Sequence, residues 1–218
     1  MHGILRTIFF IFLSQNTNAH VPALLIPLEI PQVASHFLSQ SEISRAVYSE
    51  LTQSQDIFVV QFEVKPGQTT LVQVLTPVCP KLPQYEAFQP TAFIIKGDLP
   101  WKQQGESNAK FIERLLKSAV AVAQSNYPMG KRPQFHEEFA KIDYWVGGEW
   151  RGNLEPGLYT TLVYSSDANK GVFVLGLNEK EAWTADLYAY VERLLPTIKN
   201  GLCNPSGFTG RLLFSKNE

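Results

Sequence analysis

Residues 143–177 read DYWVGGEWRGNLEPGLYTTLVYSSDANKGVFVLGL, and the choice of fold class turns on them. Three apolar, β-branched or aromatic runs follow one another closely, at 144–150, 158–164 and 172–177. Turn chemistry separates them: Gly152-Asn153 and Glu155-Pro156-Gly157 between the first two, residues 165–171 before the third. Branched and aromatic side chains fit a pleated, half-buried surface, and glycine and proline interrupt it. The stretch therefore reads as three antiparallel strands joined by short connections. A meander of this kind needs a second sheet to pack on, and the upstream chain is where that sheet has to come from.

Upstream, residues 57–64 alternate, with Phe58, Val60, Phe62 and Val64 on one face and Gln61 and Glu63 on the other. Lys65-Pro66-Gly67-Gln68 is a turn, and residues 70–75 read as the returning partner strand. Residues 47–51 form a short strand before the pair. Residues 21–31 are apolar but broken by Pro22, Pro27 and Pro31, which suits an edge strand or an extended arm.

Two of these stretches resemble a known family. Residues 45–77, RAVYSELTQSQDIFVVQFEVKPGQTTLVQVLTP, are similar to the first half of the pre-peptidase C-terminal type of β-sandwich. Residues 154–181, LEPGLYTTLVYSSDANKGVFVLGLNEKE, are similar to its second half. The resemblance implies an antiparallel, jelly-roll-like β-sandwich acting as a non-enzymatic binding or accessory module beside secreted enzymes or surface proteins. The chain departs from the family at residues 79–142, where a short connection would do. That excursion holds a strand-like TAFIIKG at 91–97 and then a helix. Ser107 is a good N-cap, and Phe111, Ile112, Leu115, Leu116, Ala119, Val120 and Ala123 share a stripe until Asn126-Tyr127-Pro128 stops it. A second amphipathic helix is capped by Thr184 and carries Leu187, Tyr190, Val191, Leu194 and Leu195 on one face. Pro196 is expected to bend or end it, and Gly201 to stop it. Residues 207–214 could add a last strand. The expected domain plan is a leader at 1–19 and a single sandwich at 20–218, with a helical insertion at about 98–142.

Bulk composition narrows the function. A chain of 218 residues that is 44% apolar and 18% charged buries a real core, so global disorder is excluded. Its formal net charge of −1 comes without a basic stripe, which removes the usual footprint of nucleic-acid or polybasic membrane-surface binding. Arg6, the apolar run at 8–13 and a small residue at Ala19 have the order of a secretory signal peptide. The apolar run is far short of the ~20 residues that span a bilayer, and no later segment is a membrane span. Cleavage after Ala19 removes Arg6, the leader's single charge, and takes −1 to −2. In an exported chain Cys79 and Cys203 read as one disulfide stapling the insertion to the tail, the alternative being two unrelated thiols. Asn204-Pro205-Ser206 is blocked as a glycosylation acceptor by its proline, which favours a secreted or periplasmic setting without N-glycans.

Three constellations carry candidate chemistry. A mature chain starting at His20 resembles the copper histidine brace of lytic polysaccharide monooxygenases and CopC-like carriers, with the α-amine and imidazole of His20 as ligands and His136, or less well His36, completing the set. Without that arrangement no cofactor is expected. Phe135-His136-Glu137-Glu138-Phe139 evokes a metalloprotease helix, but the position for a second histidine is Ala140, so the zinc-protease reading fails on ligand count. Trp101, Trp145, Trp150 and Trp183 are the candidate ligand-binding residues. Exposed indoles on a sandwich face grip sugar rings or peptides, and buried ones fill the core. The expected partner is a glycan or a cell-surface or periplasmic protein. The motifs of serine hydrolases, phosphate loops, CxxC redox sites and EF-hands are absent from the sequence.

Overall fold

The computed structural model of the chain describes residues 21–25, 36–52, 56–125, 127–128, 130–138, 140–165, 169–180, 182–205 and 207–208. The leader, His20 and the proposed last strand beyond Phe208 lie outside the described residues.

Eleven strands are described: β1 (Val21–Leu24), β2 (His36–Leu38), β3 (Arg45–Leu51), β4 (Ile57–Val64), β5 (Thr69–Pro77), β6 (Thr91–Lys96), β7 (Ala119–Ala123), β8 (Gln134–Glu137), β9 (Ile142–Asn153), β10 (Gly157–Tyr164) and β11 (Gly171–Leu177). The helices are α1 (Gln84–Ala87), α2 (Asn108–Lys117) and α3 (Ala185–Leu202). The strands make a six-stranded sheet ordered β1-β3-β11-β5-β9-β8 and a five-stranded sheet ordered β2-β4-β10-β6-β7. Pairing is antiparallel except at one edge of each sheet, where β1 runs parallel to β3 and β2 parallel to β4. The β-sandwich expected from the sequence is the observed architecture.

The expected hairpins are corrected. The three runs at 144–150, 158–164 and 172–177 do not pair with one another: β9 and β11 lie in the six-stranded sheet and β10 in the other. Nor does β5 pair with β4. Gln68 N bonds Lys65 O at 3.1 Å around Gly67, whose φ of +73° needs a residue without a Cβ, but this turn carries the chain from one sheet to the other. Each upstream strand pairs with a downstream one instead: β4 with β10, and β3 and β5 with β11. The two family-like stretches thus interlock strand by strand.

The physical reason is burial on both faces. Phe58, Val60, Phe62 and Val64 of β4 face Phe173, Leu175, Val72 and Val74 across the inner layer. The remaining apolar residues of β4, Ile57 and Val59, face outward and are covered by Phe111 and Leu115 of α2. On the opposite side Ile198 and Leu202 of α3 cover Tyr48, Val172, Val174 and Tyr144. The result is four layers, helix–sheet–sheet–helix. Residues 98–142 hold α2, but they also hold β7 and β8, which lie at the edges of the two sheets.

Local signals explain the remaining differences. The helical stripe expected to reach Ala123 ends at Lys117, because Ser118 turns the chain and hydrogen-bonds back to the Leu115 carbonyl. AVAVA then becomes β7 beside β6, with Ala121 and Ala123 inward. Alternation at period two prevails over the three- and four-residue spacing there because the open edge of β6 satisfies the backbone. Pro196 does not end α3, which runs to Leu202. Gly201 sits inside it, where an added Cβ would lie 2.2 Å from the Phe208 ring. In β9, Gly147 and Gly148 permit close crossings. A Cβ at either would come within 2.4 Å of a backbone carbonyl, that of Val74 or of Ala123. Asn178, buried with a φ of +58°, accepts from Leu71 N and donates to the Ser41 carbonyl, pinning the ends of three segments.

Cys79 and Cys203 form the expected disulfide, 124 residues apart, joining the exit of β5 to the C-cap of α3. In the chain-entropy model a loop this long contributes ~5 kcal/mol, so Cys79→Ser with Cys203→Ser is expected to lower unfolding free energy by up to about that amount in guanidinium titrations. At the base of α2, Arg114 bonds both oxygens of Glu106 at 2.9 and 2.8 Å and holds that carboxyl well below its ordinary value of 4.5, at about 2. The folded value is depressed, so the contribution is present above pH 4.5 and disappears as pH falls through about 2. The melting-temperature gap between wild type and Glu106→Gln should therefore be widest at neutral pH and close at about pH 2.

Candidate functional site

Among the described residues, the outer face of the six-stranded sheet is only partly covered. Along the strands, Leu75, Val174 and Tyr144 are roofed by the C-terminal half of α3, whereas Leu71, Gln73 and Gly176 further down are left as a floor. The hairpin of β8 and β9 forms one wall. The outcome is a groove with two compartments that meet at Phe135, 37% exposed.

The polar compartment, about 210 Å³, is lined by Ser44, Gln73, Glu149, Arg151 and Glu179 around Leu71, Val146 and Phe135. Gln73 Nε2 donates to Glu149 Oε2 at 2.9 Å. Arg151 grips both oxygens of Glu179, with Nη2 to Oε1 at 2.6 Å, and this pairing raises the guanidinium's already high pKa. A fork-to-fork contact of this kind sets both groups in one plane. The floor therefore offers prepositioned donors and acceptors, two carboxylates to one guanidinium.

The second compartment is small, about 20 Å³, and apolar, lined by Pro22, Phe135, Leu195, Gly176 and the buried tyrosines. Tyr48 and Tyr144 share a hydrogen bond of 3.0 Å between their hydroxyls. Burial pushes the Tyr48 phenol up to about 12 and raises Tyr144 as well, so both stay neutral. Because β1 contributes Pro22 and β8 contributes Phe135 and Glu137, the two edges of this sheet curl toward each other around the pocket.

The wall is fixed by a residue whose role the sequence does not show. Arg132, 4% exposed, precedes β8 and donates to five carbonyls: Tyr85, Glu86 and Phe88 from around α1 at 2.9–3.2 Å, Val146 at 3.1 Å and Trp145 at 3.3 Å. Desolvation lowers its pKa to about 10, which leaves it charged at neutral pH. In the sequence it is one basic residue in a turn-like KRP, and only the tertiary structure supplies its acceptors.

The candidates read from the sequence fall elsewhere. Trp101 is 87% exposed before α2, on the five-stranded side. Trp183 packs edge-on against Tyr188 of α3, ring centroids 5.7 Å apart, on the opposite side of the sandwich. Trp150 leans on the inner core, and Trp145 is half-buried on the face of β9 opposite Tyr144. The four indoles do not share one face, and none lines the groove. His136 Nδ1 lies 2.6 Å from Asp143 Oδ1, its direct cross-strand neighbour in β9. His36 stacks near Phe58 from β2, in the other sheet. The copper arrangement depends on His20, which is outside the described residues. Among the described residues no three His, Cys, Asp or Glu side chains gather as a metal set.

No protein-family model and no curated protein sequence matches the chain. In fold it is similar to the crystal structure of the pre-peptidase C-terminal domain of a collagenase from Bacillus anthracis. The two are 13% identical, the match covers 73% of this chain and 97% of that one, and the TM-score is 0.35. The likeness concerns architecture alone. Arg132→Met should take a donor from five carbonyls, of which Tyr85 O keeps Thr76 Oγ1, and cost about 3 kcal/mol of stability, with loss of amide-exchange protection concentrated at residues 134–137 and 142–146.

Proposed function

We propose that this chain is an exported, non-enzymatic binding module and that the groove beside α3 is its contact surface. The observation that carries this reading is a prepositioned polar floor, on a part of the sheet face that α3 leaves uncovered among the described residues, meeting at Phe135 a small apolar pocket under α3. A side chain there would be expected to close over hydrophobic surface; the strand instead supplies Gly176, and the carboxylates and amide are held by neighbours rather than by a reacting partner. The His136–Asp143 pair sits on the face of β8 opposite Phe135 and Glu137, away from the groove. Export is supported by the disulfide, which persists in oxidising compartments. Among the described residues no helix is long and apolar enough to cross a membrane. The partner would be a glycan or a surface or periplasmic protein met through this groove.

Gly176→Leu tests it. An added Cβ has room, its nearest neighbour being the Gln73 side chain at 3.7 Å, and the rest of the leucine projects into the apolar compartment that Gly176 lines, where it meets Phe135. Wild type is expected to bind at least one probe in a panel of insoluble polysaccharides and extended peptides, and Gly176→Leu to weaken that binding at least tenfold with an unchanged melting temperature. Equal binding by both proteins across the panel, or no binding by either, defeats the proposal.

A further inference from the structure

Four side chains form a continuous row through the polar compartment. Gln73 Nε2 donates to Glu149 Oε2 at 2.9 Å, Arg151 Nε lies 4.0 Å from Glu149 Oε1, and Arg151 grips both oxygens of Glu179. Strand register puts the row there. Gln73 and Glu149 are direct partners across β5 and β9, and so are Leu71 and Arg151 two residues along. Glu179 follows Asn178, whose N–H bonds the Leu71 carbonyl at 2.9 Å, so the Arg151 guanidinium reaches across Leu71 to meet it. Donors and acceptors therefore alternate along the row: amide, carboxylate, guanidinium, carboxylate.

This row selects by chemistry. An incoming anion meets two carboxylates and a guanidinium already bound to one of them. An incoming cation meets carboxylates already held by Gln73 and Arg151, with the positive charge of Arg151 between them. A hydroxyl donates one hydrogen bond and accepts others, so it can bridge a carboxylate and the donor beside it without bringing in a charge that must be desolvated. Neighbouring hydroxyls on one ring meet adjacent members of the row at once, whereas a peptide brings such groups one side chain at a time. Leu71, Val146 and Phe135 supply apolar surface in the same compartment, whose volume is about 210 Å³. Mostly apolar walls with a few fixed polar groups are the usual build of a small-molecule site.

Resting on the groove reading above, we infer that the polar compartment binds one uncharged sugar ring, its vicinal hydroxyls bridging Glu149 with Gln73 and Glu179 with Arg151 and its carbon-bearing face on the apolar lining. The ring belongs to a glycan whose remaining units extend outside the compartment.

The probes are the methyl glycosides of glucose, galactose, mannose and N-acetylglucosamine, with glucosamine and glucuronic acid as charged counterparts. Each is titrated at millimolar concentration into the full chain and followed by amide chemical shifts. At least one neutral glycoside is expected to shift residues 71–73, 149–151 and 179, with the same affinity at low and high salt. The charged counterparts should bind at least tenfold more weakly. Glu149 and Arg151 are both exposed, so Glu149→Leu and Arg151→Leu should keep the wild-type melting temperature and lose at least tenfold in affinity. Glu149→Gln, which retains an acceptor oxygen, should lose only a few-fold. Equal or tighter binding of a charged sugar overturns the inference, and this arm needs no variant to fold. Full binding by both leucine variants, a steep fall in affinity with salt, or shifts confined to other residues also overturn it. If an extended peptide is bound by wild type and released by Gly176→Leu while no glycoside shifts the compartment, the sugar inference falls and the groove reading stands. If neither glycosides nor the wider panel bind, both fall.

Discussion

The constraint on which the structure depends is that neighbouring runs in the central and C-terminal sequence are sent to opposite sheets. From β3 to β4 to β5, and again from β9 to β10 to β11, the chain crosses the sandwich at each connection. Every main ladder therefore joins segments far apart in sequence, and none forms without the inner layer of Phe58, Phe62, Val72, Val74, Phe173 and Leu175 that both sheets share. Closing such long loops costs entropy before any contact repays it. The disulfide acts on that same cost, since it shortens the longest excursion in the disordered chain and holds the end of α3 against Cys79's surroundings.

Crossing between sheets also decides where a surface is left over. Helices cover the outer faces of both sheets, but each covers only as much as its apolar stripe allows. α2 presents Phe111 and Leu115 to the five-stranded sheet. α3 presents Ile198, Leu202 and Leu195 and buries Val191, and only its first six residues carry no buried side chain, with Tyr188 and Tyr190 nearly half exposed. Among the described residues the lower part of the six-stranded sheet consequently lacks a roof. Its strands answer with polar residues, Gln73, Glu149 and Arg151, in place of the valines and leucines that lie further up the same strands. The change from apolar to polar along one face of β9, from Tyr144 and Val146 to Glu149 and Arg151, follows the limit of that cover.

Arg132 links this surface to the body of the protein. A buried guanidinium with five carbonyl acceptors is costly to desolvate and strongly directional once satisfied. It fixes the segment around α1, the entry to β8 and the middle of β9 in one geometry. The wall of the groove is thereby rigid where it leaves the core.

The sequence by itself marked eight of the eleven described strands, β2, β7 and β8 being the exceptions, and the caps at Ser107 and Thr184, because each follows from local periodicity or turn residues; the β-sandwich class came with the family resemblance, and the pairing of Cys79 with Cys203 was the favoured of two readings of a count of two. It misread what depends on the partner. Neighbouring strands looked like hairpins because a turn between two β runs has the same composition whether it returns within a sheet or crosses to another. The stripe through Ala123 looked helical because alanine and valine fit either period until β6 offers its edge. The tryptophans drew attention as the largest rings, yet their positions are scattered over both sides and the inner core. The groove was hidden for a comparable reason. Gln73, Glu149, Arg151, Glu179 and Phe135 come from β5, β9, β8 and the loop after β11, and each alone is an ordinary exposed residue of a strand or turn. Only the tertiary structure brings them together, because strand order, unlike strand content, is decided by which apolar faces can be buried at once.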